Sequence, residues 1–282
     1  MSAPQHLPGI AALADRFDDF LIDQFGVLRD GKQAYPQAPA TLERLKAAGK
    51  RIVILSNSGK RSAENDRRLA GIGFQPGSWD WFLTSGEVAW RQMAERRSSH
   101  SAGRCLLISR DGDLSPLQDL PFTPTQNADE ADLVLIAASE GDRFSIDHYH
   151  DLLAPAALRD VPCLCTNPDK IMLTADGPAF GAGRIAELYE SLGGKVEWIG
   201  KPFPAIYQAA LDFLKPADLT RVCCLGDSVE HDIAGAAGAG LKSVLVTTGI
   251  LANASPEQRA ELFEAHGAIP DFIIPSFIWQ EG

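Results

Sequence analysis

Short apolar segments alternate with amphipathic stretches along most of the chain, and this alternation limits the fold more strongly than any other feature. The segments FLID (20–23) and RIVIL (51–55) have the length and composition of buried strands. Between them, residues 38–48 place Leu42 and Leu45 at helical spacing. Because strands that alternate with helices of this length join through right-handed crossovers, the sequence predicts an α/β protein with a doubly wound parallel sheet.

The end of the chain predicts a further strand. Residues 271–277 read DFIIPSF, in which an apolar run is followed by Pro275. Proline has no N–H to donate to a neighbouring strand, which excludes it from the centre of a sheet. We therefore expect an edge strand in this segment.

The overall composition excludes several classes of protein. The chain has 282 residues, of which 45% are apolar and 22% are charged, a balance that is typical of globular proteins. The formal net charge of −11 argues against nucleic acid as a partner, because the phosphate backbone is itself negative. An acidic substrate such as a phosphate ester would need local compensation by a cation, a lysine or helix N-termini.

The sequence also predicts a soluble, cytoplasmic protein. No apolar run approaches the ~20 residues that a membrane span requires, so no membrane partner is expected. Residues 1–20 lack the basic and long apolar parts of a secretion signal. The five cysteines lack the spacing of a zinc site, and their odd number favours reduced thiols.

Four of the apolar runs end in side chains that could take part in chemistry. These side chains are Asp23, Ser56, Asn57, Ser58, Lys201 and Asp227. In open α/β sheets, ligands bind beyond the carboxyl ends of the strands, so these groups are expected to share one site. Together they supply a nucleophile, phosphate donors, a cation and an acidic metal ligand.

The acids also have simpler structural explanations. A lone Asp23 could cap the turn that follows it. Asp227 and Asp232, in GDSVEHDIAGAAGAG (226–240), could open a helix, whose N-terminus favours acids. The same two acids suit a hard cation that needs oxygen ligands, and a cation beside Asp23 would let its carboxylate attack phosphorus.

Two further groups suit the binding of a phosphoryl group. Lys201 directly follows the apolar run VEWIG (196–200), and its ammonium group could hold a carboxylate and a phosphate together against their mutual repulsion. A lone lysine is more often a surface residue, although one that follows an apolar strand directly is less so. The hydroxyl of Ser56 could cap a helix, or it could bind phosphoryl oxygens with the amides of the following turn.

Six short segments, in this order, carry a resemblance to a known family: DQFGVL (23–28), LSNSGK (55–60), TSGEVAW (84–90), TNPDKI (166–171), GKP (200–202) and GDSVEHDIAGAAGAG. The chain resembles the haloacid dehalogenase superfamily of hydrolases, subclass IIA, in the branch of the N-acetylglucosamine-phosphate and nitrophenyl phosphatases. The resemblance implies a Rossmann-like core formed by residues 1–83 and 193–282, with a cap domain inserted at 84–192. It also implies aspartyl-phosphate chemistry that depends on Mg²⁺.

The resemblance assigns catalytic and metal-binding roles to the matching residues. Asp23 would be the nucleophile, and Lys201 would be the amine that balances charge in the site. Mg²⁺ would be held by Asp23, the backbone carbonyl of Phe25 and Asp227. Asp232 would lie behind these ligands and would not contact the metal directly.

The resemblance also implies that two loops contact the substrate, a small phosphorylated metabolite. Ser56, Asn57 and Ser58 would bind its phosphoryl group. Asn167 and Asp169 would belong to a specificity loop in the cap. The alternative for these two residues is an Asx turn at the Asn-Pro pair, and the residues alone do not decide between the two. Caps of this branch leave room for a homodimer.

The first motif departs from the family pattern at Phe25. Phosphatases of the family carry Asp-x-Asp, whereas this chain has Asp23, Gln24 and Phe25. The second acid protonates the leaving alkoxide and then activates water, and only its backbone carbonyl binds the metal. Phe25 keeps that carbonyl but cannot move a proton, and the loss of general acid-base catalysis costs about 10²- to 10⁴-fold in rate.

Several interpretations of this change stay open. The enzyme could be a slow phosphatase in which His231 or Asp169 supplies the proton, although a satisfied helix histidine is the simpler interpretation of His231. Its substrate could carry a good leaving group, as acyl and aryl phosphates do. The aromatic residue is also similar to the dehalogenases of the family, in which a carboxylate displaces halide without a metal. The chain could also be a catalytically impaired protein that binds phosphate ligands, but the intact acids favour phosphatase-type chemistry.

Overall fold

The computed structural model describes residues 3–96 and 103–280, which fall into two compact units. The first unit comprises residues 1–56, 63–83 and 201–282, and the second unit comprises residues 57–62 and 84–200. Each unit has its own sheet and its own apolar core.

The predicted cap, 84–192, lies within the second unit. That unit also includes residues 57–62 and 193–200, which the sequence assigned to the core. Residues 97–102 of the predicted cap, and the two residues at each end of the predicted core, lie outside the described part of the chain.

The described residues form fourteen β-strands and nine α-helices. The strands are β1 (Gln5–His6), β2 (Asp19–Asp23), β3 (Arg51–Ser56), β4 (Trp81–Thr84), β5 (Gly103–Ile108), β6 (Phe122–Thr125), β7 (Leu133–Ile136), β8 (Cys163–Cys165), β9 (Ile171–Thr174), β10 (Gly177–Phe180), β11 (Val196–Trp198), β12 (Val222–Gly226), β13 (Lys242–Val246) and β14 (Phe272–Ile274). The helices are α1 (Ala11–Ala14), α2 (Ala38–Ala47), α3 (Ser62–Ala70), α4 (Ser85–Arg96), α5 (Ile146–Leu158), α6 (Ala182–Ser191), α7 (Pro204–Leu214), α8 (Ala234–Gly238) and α9 (Pro256–His266).

The sheet of the first unit has seven strands in the order β1-β14-β13-β12-β2-β3-β4. β2 pairs in parallel with β12 on one side and with β3 on the other. In this register Ile22 lies beside Leu225 of β12, and Asp23 lies beside Leu55 of β3. The carboxyl ends of the three strands therefore meet at one edge, and the predicted α/β fold with a doubly wound sheet is confirmed.

The helix predicted at 38–48 is confirmed as α2. Its apolar positions Leu42 and Leu45 are fully buried, and they belong to the same core cluster as Phe20 of β2. The helix is followed by Gly49, whose φ of +75° is a conformation that glycine adopts readily. This packing surrounds β2 with apolar side chains, so the carboxylate at its end emerges from a desolvated strand.

The strand predicted within 271–277 is confirmed as β14, but the prediction that it lies at the edge of the sheet is wrong. β14 pairs in parallel with β13 on one side and with the two-residue strand β1 on the other. Pro275 follows the last residue of β14, so its missing N–H interrupts no pairing within the strand. β1 is exposed and has no apolar run, which is why the sequence pattern did not predict it.

The sheet of the second unit has five strands in the order β11-β8-β7-β5-β6, and their pairings are parallel. Helices α5 and α6 contact each other over this sheet, and the buried Tyr189 of α6 donates its hydroxyl to the carbonyl of Val161 at 2.6 Å. β9 and β10 form a separate antiparallel hairpin. Among the helices that the structure describes, we find none with the length and apolar character needed to cross a bilayer.

Candidate active site

Parallel pairing brings three of the predicted site residues to one edge of the first unit's sheet. Asp23 is the last residue of β2, Ser56 is the last residue of β3, and Asp227 directly follows β12. Because β2 lies between the other two strands, the three residues leave the sheet side by side. Ser56 and Asp227 are buried, and Asp23 is nearly so.

Lys201 joins two acids at this edge. Its ammonium nitrogen Nζ lies 2.5 Å from Oδ1 of Asp23 and 2.7 Å from Oδ1 of Asp232. Only 4% of the lysine's surface is exposed. A buried ammonium group is costly unless it is paired, and two charge-assisted hydrogen bonds pair it here. These bonds also fix the direction in which the Asp23 carboxylate points.

Burial and neighbouring charges shift the pKa values of these groups. Burial raises the pKa of the Asp23 carboxyl well above its usual value, an effect that Lys201 offsets in part and Asp232 reinforces. Burial alone would lower the pKa of Lys201, but the charges of Asp23 and Asp232 outweigh it and raise that pKa. The lysine therefore keeps its proton at neutral pH and acts as a hydrogen-bond donor.

Asp23, Asp227 and Asp232 form an acid cluster that suits a hard cation. One carboxylate oxygen from each lies within 4.8 Å of the others. Burial and the charge of Asp232 raise the pKa of Asp227 to about 7, because a further negative charge is unfavourable there. Both oxygens of Asp232 are engaged, Oδ1 by Lys201 and Oδ2 by the backbone N–H of Ser228 at 3.1 Å. Asp23 and Asp227 are therefore the acids better able to contact a divalent ion directly.

A short loop after β13 holds the Asp227 carboxylate in place. The backbone N–H of Ile250 donates to Oδ2 of Asp227 at 2.8 Å. The Thr248 hydroxyl donates to the carbonyl of Gly26, in the turn that follows β2. Gly26 and Gly249 have φ angles of +78° and +60°, and the backbone of both lies against the Asp227 carboxylate. The loop thus connects the turn after β2 to the acid cluster.

Sequence reasoning missed Thr248 and Gly249. The segment KSVLVTTG (242–249) has the pattern that identified the other strand ends, an apolar run followed by small polar residues. β13 pairs in parallel with β12, so its carboxyl end opens at the same edge of the sheet. The reasoning that identified Asp23 would have identified this loop if it had been applied to every strand.

Replacing Gly249 with Ala is expected to disrupt the acid cluster. An added Cβ would lie 1.9 Å from Oδ2 of Asp227 and 2.5 Å from Cα of Gly26, far inside contact distance. We expect the variant to bind Mg²⁺ at least about tenfold more weakly, a loss of about 1.4 kcal/mol, as measured by titration calorimetry.

The matched control for this variant is Gly267→Ala. Gly267 has nearly the same φ, +59°, but no atom lies within 4 Å of the position that its Cβ would take. Both substitutions therefore impose a similar backbone strain of about 1–2 kcal/mol, and only Gly249→Ala adds a collision. Equal Mg²⁺ affinities in the two variants would show that this loop does not support the acid cluster.

Two family models match the segments that carry the acid cluster. One, described as haloacid dehalogenase-like hydrolase, matches residues 20–123, and the other, described as HAD-hydrolase-like, matches residues 198–278. The chain belongs to the haloacid dehalogenase-like hydrolases.

This hydrolase is similar over most of its length to several named proteins. Human chronophin is 29% identical over 286 residues, which cover 94% of each chain. The sugar-phosphatase AraL of Bacillus subtilis is 28% identical and covers 91% of this chain and 89% of its own. The solved structure of p-nitrophenyl phosphatase from Archaeoglobus fulgidus superposes with a TM-score of 0.76 and 28% identity, over 92% of this chain and 96% of that chain.

The hydrolase carries no proton-transfer side chain two positions after Asp23. The ring of Phe25 is 50% exposed, and the guanidinium carbon of Arg29 lies 5.0 Å from its centroid. Arginine stays protonated in proteins, so Arg29 does not replace the missing acid. Neither Phe25 nor the arginine that lies against its ring can therefore replace the second acid of the family motif.

His231, one of two candidate replacements for the acid, lies in a π-helical turn at Val229–Ile233. Its backbone N–H donates to the hydroxyl of Ser228 at 3.1 Å, and its carbonyl accepts from the hydroxyl of Tyr207 at 3.2 Å. These contacts involve the backbone and stabilise the turn. A role for the imidazole in proton transfer stays a prediction.

The other predicted substrate residues lie in the second unit. Nδ2 of Asn57 donates to Oδ1 of Asp169 at 2.8 Å. Oδ1 of Asn167 accepts from the backbone N–H of Asp169 at 3.2 Å, which is the hydrogen bond of an Asx turn. The carbonyl of Ser58 accepts from the hydroxyl of Ser85 at 3.1 Å. The turn that the sequence allowed at Asn167 is thus present, and Asn57 and Asp169 form one polar pair.

Proposed function

We propose that the chain hydrolyses small phosphate monoesters in two steps, with Asp23 as the nucleophile. The observation that carries this proposal is the 2.5 Å ion pair of Lys201 with Asp23, beside the two other acids of the cluster. A lysine bound to Oδ1 of Asp23 orients the carboxylate so that its other oxygen can attack phosphorus. The relatives whose names describe phosphatases support the same reaction class.

The chain's own residues account for both displacements at phosphorus. In the first step, the Asp23 carboxylate attacks phosphorus and the ester oxygen leaves with its bonding electrons, so the phosphoryl group passes to Asp23. In the second step, water attacks the same phosphorus, which restores the carboxylate and releases inorganic phosphate. Lys201 keeps its proton throughout and stabilises the negative charge that gathers around Asp23. In the first step the leaving oxygen takes up one proton from solvent, because Phe25 cannot supply it, and in the second step the attacking water gives up one proton to solvent.

The acid cluster fits Mg²⁺, which family members generally use. A bound cation would favour ionisation of all three acids, which with the ammonium of Lys201 would then carry two net negative charges in a largely buried space, and carboxylate oxygens suit a hard divalent ion. Asp23, the backbone carbonyl of Phe25 and Asp227 would hold the ion, with Asp232 behind them. When bound, Mg²⁺ would reduce the repulsion between Asp23 and a phosphoryl group and polarise the phosphoryl oxygens.

The phosphoryl group would be bound by Ser56, Asn57, Ser58 and Lys201. The rest of a small phosphorylated substrate would be contacted by Asn167 and Asp169. These assignments rest on the motifs LSNSGK and TNPDKI and on the ion pair of Lys201. Because Phe25 provides no proton, we further propose a substrate with a good leaving group. A cytoplasmic location and a homodimer stay predictions.

A substrate panel tests this proposal. The purified protein would be assayed with aryl, acyl and alkyl phosphates and with short 2-haloacids, each with Mg²⁺ and with a chelator. We expect Mg²⁺-dependent release of phosphate, faster from aryl and acyl phosphates than from alkyl phosphates by about 10²-fold, because alkoxides need a proton to leave. Halide release in the presence of chelator would indicate a dehalogenase instead, and phosphate binding without turnover would indicate a binding protein.

A further inference from the structure

The turn that follows β2 borders an open cavity of about 430 Å³ in the first unit, together with residues of α3 and of the turn that follows that helix. This volume lies within the range of about 300–1,000 Å³ that is typical of small-molecule pockets. The side chains that define its chemistry are Gln24, Phe25, Arg29, Asn65, Arg68 and Ile72. Neither Lys201 nor any member of the acid cluster lines the cavity, but Phe25 does, so the cavity adjoins the site described above.

Arg29 is the main charged group of the cavity. Only 8% of its surface is exposed, and its Nε and Nη2 donate to the carbonyls of Asp30 at 2.9 Å and Gly31 at 3.0 Å. The Asp30 carboxylate instead accepts from the backbone N–H groups of Lys32 and Gln33. Over residues 3–96 and 103–280, no carboxylate lies within ion-pair distance of this guanidinium. A largely buried charge in this situation favours an anionic ligand.

A second guanidinium lies near the first. Burial lowers the pKa of Arg29, and the charge of Arg68 lowers it further, against the opposite effect of Asp30. Arg68 forms an i,i+4 ion pair with Glu64 at 2.5 Å on the surface of α3, an interaction that contributes little when exposed. Two guanidinium groups that border one cavity repel each other, and a single anionic group can bind both.

The remaining walls offer apolar surface and amides. The half-exposed ring of Phe25 faces Arg29, and Ile72 supplies aliphatic surface. The side-chain nitrogen of Gln24 is buried and has no hydrogen-bond partner among the described residues. A buried amide without a partner is unfavourable, so a polar group in the cavity would stabilise it. The lining therefore combines two cations, a ring face and an unsatisfied amide.

We propose that this cavity is a binding site for a small organic anion. Its carboxylate or phosphonate-like group would bind between Arg29 and Arg68, and its ring or hydrocarbon part would pack on Phe25 and Ile72. This inference goes beyond the proposed function and does not depend on it.

Ligand-observed NMR tests the site by binding alone, with protein from which divalent metal has been removed by a chelator so that catalysis does not contribute. The probes are benzoate, phthalate and phenylphosphonate, with benzamide as the uncharged analogue, in about 150 mM salt to screen weak surface binding. We expect at least one anion to bind at millimolar concentration or below, and benzamide to bind at least about tenfold more weakly. A preference among the three probes distinguishes carboxylates from phosphonates as the source of the anionic group.

Three arginine variants locate the binding. Arg29→Met and Arg68→Met are each expected to weaken binding of the anion by about tenfold or more, the effect of removing a charged hydrogen-bond donor. Arg67→Met is the matched control, because Arg67 lies on the same helix and donates to the carbonyl of Ala63 outside the cavity. Should Arg29→Met fail to fold, the half-exposed Arg68 decides the question alone. The proposal is overturned if no anion binds, if benzamide binds equally well, or if Arg68→Met and Arg67→Met have the same effect.

Discussion

Replacing Asp23 with Asn is expected to lower kcat for p-nitrophenyl phosphate by about 10³-fold or more in the presence of Mg²⁺. An amide oxygen does not attack phosphorus, and loss of the nucleophile in covalent catalysis removes factors of this size or larger. The leaving nitrophenolate needs no proton, so the missing acid at Phe25 does not mask the effect. Steady-state kinetics with the wild type and the variant measure it.

The loss is expected to come from chemistry and not from the fold. The side-chain amide introduced by Asp23→Asn keeps an oxygen that can accept a hydrogen bond from Lys201. The substitution also removes a carboxylate whose charged form is disfavoured by burial, which raises the pKa of Asp23. The melting temperature should therefore not fall. Asp15→Asn serves as the control, because Asp15 is an exposed acid just before β2. If Asp23→Asn kept more than about a tenth of the wild-type rate, Asp23 would not be the nucleophile.

The sequence predicts the acid cluster well because strands and their ends are local features. Asp23 and Asp227 each follow an apolar run, and parallel pairing of β2 with β12 brings the ends of those runs to one edge. Lys201 is different, because the strand that precedes it, β11, belongs to the sheet of the second unit, whereas Asp23 and Asp227 follow strands of the first unit's sheet. The rule that strand ends of one sheet share a site therefore does not explain the position of Lys201 beside Asp23, which the family motif also implied.

Features that depend on contacts between short or irregular segments escape such prediction. β1 has two exposed residues, and only its pairing with β14 makes it a strand. The cavity beside Phe25 depends on the separation between a turn and a helix, which no residue pattern encodes. The sequence identifies Phe25 as a departure, but the position of Arg29 against its ring follows from the fold.

Replacing Phe25 with Asp is expected to raise kcat/KM for alkyl phosphates by about 10²-fold, the lower end of the range for general acid-base catalysis. The ring is half exposed, so the substitution removes little buried apolar surface and should not destabilise the fold. Aryl phosphates, whose leaving groups need no proton, should show a much smaller gain. A series of esters with leaving groups of increasing pKa measures the difference as a change in slope.

The control for this variant is Phe25→Asn, because the amide side chain has the size and shape of the carboxyl side chain but cannot transfer a proton. Arg29 lies against the position of the ring, so a carboxylate there would have a lowered pKa and would be protonated mainly in acid. The gain of Phe25→Asp over Phe25→Asn is therefore expected to be largest at low pH and to decline as pH rises through that pKa. A gain shared by both variants, or one independent of the leaving group, would mean that the aromatic ring limits substrate access and that proton transfer is not the missing step.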